Sequence, residues 1–104
     1  MRVRVESENE VLVAGLREAD DFKSFCVEIP ATLRPDAGAS TGDGAVEFAS
    51  PDEARVDQRW LIEAGGFHPG TAAGKSFEAM LAFAAERGWL DSQSGRIAAH
   101  VERA

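Results

Sequence analysis

The chain is predicted to be an α+β domain: an antiparallel sheet of three to five strands with two helices packed on one face. Three observations predict this. Apolar and polar residues alternate with period two over residues 2–6 and 22–29, and the pattern returns at 96–102. Between the last two stretches, apolar residues recur at helical spacing over two segments bounded by glycine and proline. Because the strands alternate and are not apolar throughout, one face of the sheet is expected to be wet, the usual habit of antiparallel sheets.

In RVRVE, Val3 and Val5 point one way and Arg2, Arg4 and Glu6 the other. Ser7 to Glu10 makes a turn, and Val11 to Ala14 returns as a second strand. After a connection through Asp21, residues 22–29 alternate Phe25, Val27 and Ile29 against Ser24, Cys26 and Glu28 until Pro30 closes the strand. Residues 30–44, with two prolines and three glycines, are expected to be a flexible loop. Ala45 to Ala49 reads as a fourth short strand.

Ser50-Pro51-Asp52-Glu53 has the form of a capping box, with Ser at the N-cap, Pro at N1 and Glu at N3. The preferred reading therefore starts a helix there, with Val56, Trp60, Leu61 and Ala64 on its apolar stripe and Gly65-Gly66 as its stop. The rival reading makes 54–56 a strand and starts a shorter helix at Asp57. A second helix covers about 72–87, with Phe77, Met80, Leu81 and Ala84 on one stripe and Gly88 ending it. The turn-like DSQSG then leads to a last strand, in which Ile97, Ala99 and Val101 oppose Ala98, His100 and Glu102. Both Trp60 and Trp89 are expected in the core, with Trp89 as the candidate interface residue should one exist.

At 104 residues the chain is a single domain's worth, with 44% apolar and 28% charged residues. Eighteen acidic residues against eleven basic give a net charge of −7, and no segment clusters Lys or Arg. That argues against nucleic-acid or anionic-membrane partners, whose phosphates would be repelled. Nine of the eleven basic residues are Arg, which with the many alanines hints at a GC-rich bacterial genome. A single cysteine excludes an internal disulfide, and no apolar run or leader-like segment is visible, so a cytoplasmic location is expected.

The stretch HPGTAAGKS ends like a phosphate-binding loop, but position 69 is Pro where that motif needs Gly, and a helix precedes it where a strand is required. No nucleotide or other cofactor is expected. The ordinary reading is a helix–helix connection with Thr71 as the cap. The start of that second helix, with Thr71, Lys75 and Ser76, retains the generic capacity for a small anion. Cys26 has no cationic neighbour to activate it, and Glu28 on its own face raises its pKa if anything. His68 and His100 are the only histidines, and no His/Cys/Asp cluster has ligand spacing, so no metal is expected. Two functions remain. One is a small acidic interaction or regulatory domain that binds a protein partner or itself, possibly as a homodimer. The alternative is a small enzyme or anion binder that uses the second helix's N-terminus with His68 and His100.

Overall fold

Strand β1 (Arg2–Glu8) and strand β2 (Val11–Arg17) form the expected antiparallel hairpin, with Val3 opposite Leu16 and Val5 opposite Ala14. Asn9 and Glu10 join them with φ of 50° and 67°, the left-handed pair that matches the twist of a tight hairpin. All residues, 1–104, are described in this computed structural model. Strand β3 (Cys26–Ile29) lies against β1, but parallel to it, with Val3 beside Val27. The final strand, β6 (Arg96–Arg103), is parallel to β3 through only Val27–Val101, Glu28–Glu102 and Ile29–Arg103. On its other side it pairs antiparallel with β5 (Glu53–Asp57), which pairs antiparallel with β4 (Val46–Ser50). The resulting order is β2-β1-β3-β6-β5-β4.

The α+β class holds, but the sheet is mixed and has six strands; the antiparallel sheet of three to five strands is corrected. The reason is physical. Alternation reports which faces are buried, and it is the same whether the neighbouring strand runs up or down.

The second correction falls on the capping box. Residues 53–57 are strand β5, and helix α1 (Gln58–Gly65) begins only after Asp57, as the rival reading had it. Placed in a strand, Ala54 and Val56 are fully buried opposite Phe48 and Val46. The Ser-Pro-Asp chemistry that suits a helix start here serves a hairpin, where the Ser50 hydroxyl accepts the Asp52 N–H at 3.2 Å. Burial of both strands' apolar residues outweighs the local helix signal. Gly66, at φ 70°, ends α1 by donating its N–H to the Ile62 carbonyl.

Helix α1 touches both β2 and β5, which have three strands between them in the sheet, so the sheet curls around it. The 30–44 connection helps hold the curl. Gly38 and Thr41 donate main-chain bonds to Phe48 and Val46 of β4, and Gly42 donates to Leu12 of β2. Thr41 is buried, and its hydroxyl both donates to Asp43 at 2.8 Å and accepts the Val46 N–H at 3.1 Å. Helix α2 (Ala72–Glu86) buries Phe77 and Ala84 in the same core, with Met80 and Leu81 packed at its margin. No helix is long and apolar enough to cross a membrane.

Candidate functional site

The short β3–β6 pairing leaves a gap in the sheet. Before Val27 and Val101 the two strands no longer pair, because β3 begins at Cys26 whereas β6 reaches back to Arg96. The gap becomes a cleft of about 620 Å³, within the range of about 300–1,000 Å³ usual for ligand sites. Phe22 and Phe25 come from the β2–β3 connection, Met80 and Phe83 from α2, and Ile97 to His100 from β6. Trp89 completes the apolar lining, and Ser50, Asp52 and Glu53 of the β4–β5 turn contribute polar groups.

Each wall has a local cause. The main-chain nitrogen of Met1 donates to the carbonyls of Asp21 (2.7 Å) and Ser24 (2.9 Å), which fixes the 21–24 turn. The Asp21 carboxylate accepts the Lys23 N–H and the Ser24 hydroxyl, and these bonds hold it below the ordinary aspartate range. On the far side, Ala98 donates to the Trp89 carbonyl at 2.7 Å, pinning the segment after α2 against β6. The Asp91 carboxylate caps the following turn by accepting from Gln93 and Ser94, and its pKa is lowered by those bonds in that order. Asp52 is tied to Arg103 at 2.9 Å, whereas Glu53 has no ionic partner.

Trp89 is not a core residue, which corrects the expectation. It is 44% exposed and Phe83 beside it is 48% exposed. Their rings meet edge to face at 5.8 Å, with the Arg87 guanidinium 4.8 Å from the Phe83 centroid and 5.9 Å from that of Trp89. Gly88, at φ 77°, turns the chain before Trp89 can continue the helix stripe. Trp60 is partly buried against the core, as its spacing implied.

Of the residues singled out for chemistry, only His100 lines the cleft; His68, Thr71, Lys75 and Ser76 do not. The helix start is occupied by its own cap. Thr71 Oγ1 accepts the Gly74 N–H at 2.9 Å and donates to the His68 carbonyl at 2.7 Å, while the Lys75 N–H bonds the Thr71 carbonyl. One of the first-turn donors, the Gly74 N–H, is therefore used within the turn, and the Thr71 hydroxyl is committed to the cap.

The polar face of the sheet makes a constellation that spacing could not reveal. Cys26 Sγ lies 3.5 Å from Glu102 Oε2, and His100 Nε2 lies 3.0 Å from Glu102 Oε1. The three ligand-type atoms lie within 4.8 Å of one another. That His100 and Glu102 share a face was legible from their two-residue separation. The arrival of Cys26 beside them depends on parallel pairing between strands some seventy residues apart, for which no local signal exists.

Burial pushes the Cys26 thiol up to about 11, helped by the hydrogen bond and charge of Glu102 and, least, by Glu28. Glu102 is lowered, chiefly by its bond to His100 and then by that to Cys26. A thiol held neutral beside a carboxylate is no nucleophile at neutral pH, but sulfur, imidazole and carboxylate together are a donor set for a cation. The Cys26 shift has a measurable consequence. Native protein freed of metal by a chelator should resist alkylation by iodoacetamide until the pH exceeds about 10, whereas the urea-unfolded chain reacts near the ordinary thiol pKa of 9.0. Because the folded value is the higher, the associated stability is complete below pH 9.0 and is lost as pH rises towards about 11.

No protein-family model, curated protein or solved structure matches the chain.

Proposed function

We propose that the protein is a small non-catalytic interaction domain whose cleft receives a segment of a partner protein, with one apolar anchor residue next to a basic one. The exposed Phe83–Trp89 pair at the cleft carries this reading. Large apolar rings left in water beside a concave apolar lining are the usual anchor-receiving feature of an interface. Charge selects the kind of partner. The chain has a net charge of −7, and Asp52 and Glu53 line the same cleft, against Lys23 as its one permanently cationic residue. A second copy would bring the same net charge, so a basic partner is favoured over a homodimer. The rival reading as an enzyme built on His68 and His100 gains no shared pocket to support it.

The test uses two nine-residue peptides centred on leucine and flanked by either lysines or glutamates. In a Trp60→Phe background, Trp89 is the only indole and its fluorescence reports the cleft. The lysine-flanked peptide should give a saturable change that weakens with salt, and Trp89→Ala, read by NMR shifts of neighbouring amides, should reduce affinity about 30-fold. Equal response to both peptides, or none at millimolar concentration, would overturn the reading. A dimer in sedimentation that Trp89→Ala dissociates would put a second copy in the cleft instead.

A further inference from the structure

We infer that Cys26, His100 and Glu102 form a binding site for a zinc-type divalent cation. The inference does not depend on what occupies the cleft. Three different donor chemistries meet from two adjacent strands: a thiol sulfur, an imidazole nitrogen and a carboxylate. Continuing the Val27–Val101 register back by one residue sets Cys26 beside His100 on the polar face, and Glu102 follows His100 on that same face.

Size fits as well as chemistry. Tetrahedral zinc with bonds of about 2.0–2.3 Å holds its ligand atoms about 3.3–3.8 Å apart. His100 Nε2 stands 3.0 Å from Glu102 Oε1 and Cys26 Sγ 3.5 Å from Glu102 Oε2, and with a single carboxylate oxygen as ligand the three donor atoms lie within 4.8 Å of one another. Exposed His100 and Glu102 can complete the closure by side-chain rotation, while buried Cys26 stays fixed in the strand.

Local charge leaves room for a cation. Glu28, the register neighbour of Glu102, takes both arginines of β1, Arg2 at 3.3 Å and Arg4 at 2.9 Å. Arg4 is further occupied by Glu6, and Arg2 by Glu18. Glu102 has no Lys or Arg within ion-pair distance, only His100. A divalent ion would therefore displace no existing ion pair other than that one. On binding, the thiol loses its proton to solvent and the thiolate and carboxylate together balance the two positive charges. Sulfur and nitrogen donors select zinc over magnesium or calcium, which prefer all-oxygen shells. Three protein ligands leave a fourth position for water, and His100, which lines the cleft, places that position at its edge.

Cobalt(II) is the probe, titrated into the full-length chain after chelator treatment. Binding of one equivalent should produce a thiolate-to-cobalt charge-transfer band in the near ultraviolet and intense visible bands of tetrahedral cobalt, both discharged by zinc. Cys26→Ser should abolish the charge-transfer band. His100→Ala and Glu102→Gln should each weaken binding by more than the about 10-fold lower bound seen on removing an outer-shell partner. Those two side chains are exposed, so their variants keep the test valid even if Cys26→Ser folds poorly, which circular dichroism would reveal. Absence of the band in the wild type, or unchanged affinity in both His100→Ala and Glu102→Gln, would overturn the site.

Discussion

Replacing Phe67 with alanine is expected to cost about 3–5 kcal/mol of stability, a large share of the about 5–15 kcal/mol typical of a domain. Phe67 is 4% exposed, and it links three separate parts of the chain. Its ring stacks on Phe77 of α2 at 4.8 Å and 15°, and meets the ring of Phe22 from the β2–β3 connection edge to face at 5.3 Å and 61°. It also covers the end of α1, where a Cβ built on Gly65 would overlap the far edge of the ring. Truncation opens a cavity whose walls belong to different elements, so none can relax into it without giving up its own packing. Urea denaturation should show the loss as a lower midpoint with little change in slope. Phe67→Leu should recover part of it, and a Phe67/Phe77 double-mutant cycle should give a coupling of about 0.5–1.5 kcal/mol. A loss below about 1 kcal/mol would mean that the three rings do not hold these segments together. Since Phe22 also lines the cleft, peptide binding should weaken in the same variant.

Phe67 illustrates where the sequence could be read and where it could not. Within GGFHPG it looks like a loop residue, because nothing in its immediate neighbourhood is periodic. Its burial comes from Phe22 and Phe77, neither of which a local pattern connects to it. Strands β1 and β6 were legible because each repeats its alternation over enough residues to define a face, whereas β2 was read only from the apolar run Val11 to Ala14 and continues to Arg17. Strand β5 was not legible: three alternating residues competed with a complete capping signature, and only pairing with Phe48 and Val46 decides between them. The same division runs through the site. His100 was a candidate from its residue type, and its relation to Glu102 followed from strand geometry. The cleft arises because β3 is four residues long and β6 eight, a mismatch in strand lengths that appears only once their parallel pairing is known. Trp89 was misplaced for a related reason, since spacing along α2 was extended past Gly88, where the chain leaves the helix.

Gly74→Ala is expected to destabilise by about 1–3 kcal/mol, against the sign of helix propensity, which favours alanine by about 1 kcal/mol. Gly74 is buried in the first turn of α2, and a Cβ there would overlap the His68 carbonyl oxygen, a backbone atom that no rotamer change can move. That carbonyl is held in place by the Thr71 hydroxyl at 2.7 Å and the Thr71 N–H at 3.3 Å. The same hydroxyl accepts the Gly74 N–H, so making room for a methyl opens the cap and leaves helix donors unpaired. The glycine of Gly-Lys-Ser is therefore explained by close approach between the helix and its own lead-in turn, with no phosphate required. Thermal or urea unfolding of Gly74→Ala, with exposed Lys75→Ala as a neighbour expected to stay within about 0.5 kcal/mol, separates this cause from a general sensitivity of the segment. Thr71→Ala should cost about 1 kcal/mol alone, and less when Gly74→Ala has already opened the cap. Strict additivity of the two, or a Gly74→Ala midpoint at or above the wild type, would mean that the His68–Thr71 turn yields freely and that the glycine is there for another reason.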